Sequence, residues 1–233
     1  MNILAVGAHP DDLEIECGGT LAKYALRGDK VFMASLTNGN MGHPKVKPEE
    51  MAKIRKAELE KSASLIGAEV IWIGVDDELS EINVETRLKI VDAIRYAKPD
   101  VILTHGSGDY HVDHRNAGQL VFEAAPLACV YNIKREYPKL EKQPLIYYMD
   151  NIAGIGFMPD EFVDITDTIE IKKNMFKCHE SQVGWMEEAS SFDFIDVVET
   201  VAKFRGYNSG VKYAEGFKRL NAWYRGTACR VLP

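Results

Sequence analysis

The sequence predicts an α/β protein whose mostly parallel sheet is covered by helices on both faces. Three observations carry this: short apolar runs recur along the chain, amphipathic stretches separate them, and polar or glycine residues bound each run. The runs at 2–8 (NILAVGA), 30–37 (KVFMASLT), 69–75 (EVIWIGV) and 100–105 (DVILTH) are apolar enough to be strands buried on both sides. Between them, 13–27 carries Leu13, Leu21, Tyr24 and Ala25 before Gly28. The stretch 48–66 opens with Pro48 and two glutamates, a favourable first helical turn, and is closed by Gly67. In 84–97, Val84, Leu88, Val91 and Ile94 recur at helical spacing, and 115–128 follows the same pattern. Residues 144–150 and 161–165 read as further strands, and 168–180 and 193–204 as helices. The segment 181–233 is the least regular and is expected to hold loops or a small appended element. No internal repeat, low-complexity tract or linker interrupts the chain, so 1–233 is expected to form one domain.

Composition narrows the function classes. A net charge of −7 argues against nonspecific binding to nucleic acid or to an anionic membrane, which needs clustered Lys and Arg. Cys17, Cys129, Cys178 and Cys229 are scattered without a C-x-x-C pair, as expected for free thiols in a reducing compartment. The start MNILAVGAHPDD has no basic region, and its short apolar run is followed at once by carboxylates, unlike a signal peptide. No segment approaches the ~20 apolar residues of a membrane span, so a cytoplasmic protein is expected.

Ligands of open α/β sheets bind beyond the carboxyl ends of the strands. Two polar clusters fall there: His9-Pro10-Asp11-Asp12 after the first strand, and GDYHVDHRNAG (108–118) after the fourth, with Thr104 and His105 at its tip. If the first and fourth strands are neighbours, the clusters face each other. Together they offer His9, His105, His111, His114, Asp11, Asp12, Asp109 and Asp113. Imidazole and carboxylate ligate borderline divalent ions, and three such ligands with an open position describe a catalytic zinc site. Competing motifs fail. CGGT (17–20) lacks the dinucleotide glycine order, no Walker lysine motif occurs, and HGSGD (105–109) is not a serine-hydrolase elbow.

The stretches AHPDDLE (8–14) and DYHVDHR (109–115) resemble the PIG-L/LmbE family of zinc-dependent N-acetylglucosamine deacetylases. The resemblance extends through LTNGNMG (36–42), IRKAELEKSASLIGA (54–68) and HESQ (179–182). It implies a Rossmann-like three-layer sandwich, with His9, Asp12 and His114 as ligands of Zn2+ or another divalent metal. It makes Asp11 the general base toward the zinc-bound water, and His111 the group that stabilises the oxyanion or protonates the amine. Asp113 is then expected to orient His111, and Arg55 to contact sugar hydroxyls. In one branch of the family a tyrosine two residues before the first histidine of this motif polarises the acetyl carbonyl. Here that position is Asp109 and Tyr110 follows it, a departure that points to a different substrate branch. The resemblance also implies an amino-sugar substrate and a homo-oligomer, trimer or hexamer.

Plain structural roles stand beside these. Asp11 and Asp12 suit the first turn of a helix as caps. His105 reads as a hydrogen-bonded core histidine, and Glu14 as structural or ligand-orienting. His43 and Asp77 read as exposed loop residues, and His179 as a helix cap or pocket wall. Trp185 and Trp223 read as core aromatics rather than sugar platforms. The function implied is metal-dependent removal of an acetyl group from an N-acetylglucosamine-type substrate. An acyl hydrolase for another amide and a noncatalytic sugar- or metal-binding module are the alternatives.

Overall fold

The computed structural model describes residues 1–222 and Leu232, the side chains of 186–189 excepted, so Trp223 and Cys229 lie outside the described residues. A seven-stranded sheet runs in the order β3-β2-β1-β4-β5-β7-β6. Its strands are β1 (Asn2–Gly7), β2 (Lys30–Thr37), β3 (Glu69–Val75), β4 (Val101–Thr104), β5 (Leu145–Met149), β6 (Glu161–Asp164) and β7 (Ala214–Arg219). The first five are parallel, with Val6 of β1 opposite Ala34 of β2 on one side and Thr104 of β4 on the other. The chain therefore reverses its winding between β1 and β4.

Strand alternation divides the core into two layers. Ile3, Ala5, Val31, Met33, Val101 and Leu103 face one side. There they meet α1 (Asp12–Leu26), α2 (Pro48–Ser64) and α5 (Ile169–Phe176) through Leu13, Leu21, Leu59 and Met175. Leu4, Val6, Phe32, Ala34 and Ile102 face the other side. They pack on α3 (Val84–Ala97) and α4 (Val112–Leu127) through Ile90, Ile94, Leu120 and Ala124. This is the expected three-layer α/β sandwich.

After 180 the helix expected over 193–204 is present, and the rest of the segment is more regular than expected. It contains α6 (Glu180–Ser190), α7 (Phe194–Ser209) and β7, which pairs antiparallel with both β5 and β6. β7 escapes detection because its sequence, AEGFKR, is half polar. Its buried Glu215 is matched by an ion pair with Lys172, and it accepts N–H bonds from Gly19 (2.9 Å) and Thr20 (2.7 Å). No helix among the described residues is long and apolar enough to cross a membrane.

Candidate metal centre and active site

β1 and β4 are hydrogen-bonded neighbours, so the two polar clusters leave adjacent strand ends and meet. The first is a tight turn into α1. Asp11 N–H donates to the His9 carbonyl (3.0 Å), and the Asp12 carboxylate accepts His9 N–H (2.7 Å). Asp11 stands at the helix N-cap, yet its carboxylate makes no capping bond, so the capping role is not the one it plays. The second cluster is seated by Gly118, where a Cβ would lie 2.2 Å from the His105 carbonyl oxygen. Glycine lets α4 press against the end of β4, and His114, one turn earlier on the same face, is carried to Asp12.

Three side chains converge. Asp12 Oδ2 lies 3.4 Å from His9 Nδ1, and Asp12 Oδ1 lies 3.3 Å from His114 Nε2. The His9 and His114 ring centroids are 5.2 Å apart, and His111 joins the cluster with its ring 4.7 Å from His9. His9 with His111 and His114, and Asp12 with Glu16, His105 and His114, each bring their ligand atoms within 4.8 Å of one another, a donor set that fits a borderline divalent ion. The electrostatics agree. Burial works against charge on both imidazoles, yet Asp12 with Asp113 and Asp77 raises His9 well above its ordinary value. Asp12 and Asp109 likewise push His114 up to about 11. The pocket is built to hold positive charge.

Around these donors stands a ring of carboxylates. Asp109 Oδ2 is 3.1 Å from His114 Nδ1, while Asp77 Oδ1 and Asp113 Oδ2 lie 3.2 Å and 3.4 Å from His9 Nε2. Two expectations change. Asp113 meets His111 only through its backbone N–H, which donates to Nδ1 (3.2 Å); its carboxylate serves His9 instead. Helix geometry explains this, because the cap position of His111 turns its ring back over the first turn of α4. Asp77 is a buried partner of His9, not an exposed loop residue. It was detectable in principle, since it follows the end of β3 as the other clusters follow β1 and β4.

The 77–80 loop is pinned to the site. Glu78 adopts φ 61°, a left-handed conformation that costs a non-glycine residue ~1 kcal/mol or more. Asp113 holds it by accepting Glu78 N–H (2.9 Å) and the Ser80 hydroxyl.

Asp11 points to the other side of the centre. Its Oδ1 lies 3.0 Å from Nη2 of buried Arg55, which also donates to the Pro10 carbonyl (3.0 Å), and its buried Oδ2 has no hydrogen-bond partner among the described residues. Burial raises the Asp11 pKa, and Arg55 opposes that rise. Arg55 is thus spent on Asp11 and Pro10 rather than presented to solvent, in contrast to the expected sugar contact. A buried carboxylate requires a counter-charge, and Gly39 and Gly42 leave room for the guanidinium beneath their loop. His105 is buried as expected, with Nε2 3.1 Å from Asp12 Oδ2. Glu14 is structural, accepting from Ser62 (2.5 Å) and lying 3.0 Å from His179, which is buried. His43 caps a turn by accepting N–H bonds from Lys45 and Val46.

Residues 4–125 match the PIG-L family, described as GlcNAc-PI de-N-acetylase. The chain belongs to this family. It is 32% identical over 228 residues to the diacetylchitobiose deacetylase of Thermococcus kodakarensis, covering 93% of this chain and 82% of that one. It is 28% identical over 189 residues to the 4-oxalmesaconate hydratase of Pseudomonas putida, covering 77% of this chain and 73% of the other. The solved structure of N,N'-diacetylchitobiose deacetylase from Pyrococcus horikoshii is similar with a TM-score of 0.82 at 28% identity. That likeness covers 94% of this chain and 83% of that one.

In this PIG-L chain a cavity of about 490 Å³ opens beside the centre, lined by Asp109, Tyr148, Asn151, Phe157 and Lys218 among others. Asp109 forms the wall between the cavity and His114. Tyr110, next to Asp109 in the chain, is 57% exposed.

Proposed function

We propose that the chain is a metal-dependent amide hydrolase that removes an acetyl group from a 2-amino sugar. His9, Asp12 and His114 would hold zinc or another divalent ion. Such an ion polarises an acyl oxygen and makes water a nucleophile at neutral pH. The remaining steps belong to the protein. Asp11 accepts the proton of the attacking water on Oδ2, the oxygen that Arg55 leaves unengaged. His111 accepts the Asp113 N–H at Nδ1, so its ring proton sits on Nε2, the edge facing out beside Glu78 (3.4 Å). Burial and the neighbouring His9 and His114 lower its pKa, keeping it a neutral donor to the developing oxyanion. The Asp11 proton then passes to the departing nitrogen as the C–N bond breaks, giving acetate and a free amine. The adjoining cavity would accept the rest of the sugar, with Tyr148 and Phe157 as apolar walls.

One observation carries this reading: a buried carboxylate next in sequence to a metal-type ligand, with one oxygen fixed and the other unpaired. A pure binding module has no need of it. The test is primary-amine release from a panel of N-acetylglucosamine derivatives by zinc-loaded protein, against a chelated control. Chelator-sensitive release supports the reading, and no release from any acylated amine contradicts it.

The similarity to 4-oxalmesaconate hydratase favours a second reading, since adding water across a C=C bond also needs an activated water and a base. Metal-dependent loss of absorbance from an unsaturated oxo-acid, without amine release, would select it.

A further inference from the structure

We infer that Glu16 is a positioning residue for the metal centre, acting on His114 directly and on Asp12 through His105. The inference rests on the metal reading above. Asp12 and Glu16 are four residues apart on α1 and project from the same face. The Glu16 side chain is fully buried, and its Oε2 lies 3.0 Å from His105 Nδ1, while Oε1 lies 3.8 Å from His114 Nδ1. Among the described residues neither oxygen has an aligned hydrogen bond, so the two imidazole edges are its electrostatic partners.

His105 links this carboxylate to the ligands. Its ring stacks on His114 with centroids 4.0 Å apart at 17°. Its Nε2 accepts the Ala8 N–H (3.0 Å), one residue before His9, which leaves the ring proton on Nδ1 toward Glu16, and the ring edge packs 3.1 Å from Asp12 Oδ2. Burying a carboxylate costs several kcal/mol; Glu215 meets that cost with Lys172, whereas Glu16 meets it with the two imidazoles. Placed behind two imidazoles, the same charge orients the rings and strengthens His114 as a donor. Asp109 supports His114 from the loop side and Glu16 from the helix side, so the ring is held between two carboxylates.

The test uses the whole chain, stripped of metal and titrated with Zn2+ against a chromophoric chelator, and separately with Co2+ while its visible absorption is recorded. Glu16→Gln keeps the shape and removes the charge. It is expected to weaken Zn2+ binding about 10- to 100-fold and to shift the Co2+ bands. His105→Gln is expected to do the same, and the double variant to lose less than the sum, because the two act in one chain of contacts. Should Glu16→Gln fail to fold, His105→Gln is read alone, and unchanged affinity and spectrum overturn the inference. If the wild-type chain binds zinc and Glu16→Gln matches it within twofold with the same Co2+ spectrum, the inference fails and the metal reading stands. If the wild-type chain takes up neither ion, both fail.

Discussion

Arg55 Nη2 stands 3.0 Å from Asp11 Oδ1, and both side chains are buried beside the donor cluster. The pair joins α2 to the turn before α1, so the helix face that packs the core also aims the candidate base. Replacing Arg55 with Ala leaves the Asp11 charge buried without a partner, and the cost is expected to be roughly 3–5 kcal/mol of stability. Urea unfolding measures that loss. Arg55→Lys keeps the charge but not the planar fork, and is expected to recover part of the stability while leaving turnover well below wild type. Equal turnover in Arg55→Lys and wild type would remove the positioning role.

Metal uptake should release protons. In the metal-free protein Asp12 and Asp109 hold His114 charged up to about 11, although its burial acts in the opposite direction. The folded value lies above the ordinary 6.5, so the stability this residue contributes is complete below pH 6.5 and fades as pH climbs toward 11. A divalent ion needs the neutral ring. Zinc added at pH 7–8 in weak buffer is therefore expected to acidify the solution, and its affinity to rise with pH. An indicator-dye titration reads both, and pH-independent binding would show that His114 is not a ligand.

Asp113 secures both the loop and a proposed ligand, since it binds Glu78 N–H and the Ser80 hydroxyl and lies 3.4 Å from His9 Nε2. Asp113→Ala is expected to weaken zinc binding about 10- to 100-fold. Ser80→Ala is expected to cost ~1 kcal/mol of stability while leaving zinc affinity close to wild type. Chelator competition and urea unfolding on the two variants separate these effects. Equal affinity losses in both would place the ligand-supporting role in the loop rather than in Asp113.

Much of this arrangement was legible in the sequence. HPDD and DYHVDH both follow apolar runs, so the strand-end rule alone brings them to one sheet edge. The return of the chain from β3 to pair β4 beside β1 then turns sequence distance into contact. Other parts were hidden for physical reasons. β7 carries Glu215 where a buried strand normally has an apolar residue, and the distant Lys172 together with the N–H groups of Gly19 and Thr20 makes that position tolerable. Arg55 sits on a Lys- and Glu-rich helix, and nothing local separates a buried guanidinium from a solvated one. Asp77 stands apart from these, since it follows β3 as HPDD follows β1, and the same strand-end rule reaches it.

The most direct test of the account is turnover by Asp11→Asn with its zinc content measured in the same sample. Asn keeps the volume, leaves His9, Asp12 and His114 in place, and cannot accept the proton. Full zinc loading is expected, with amine release reduced by about 10²–10⁴-fold, the usual contribution of a general base. Zinc-loaded Asp11→Asn that turns over at the wild-type rate would contradict it.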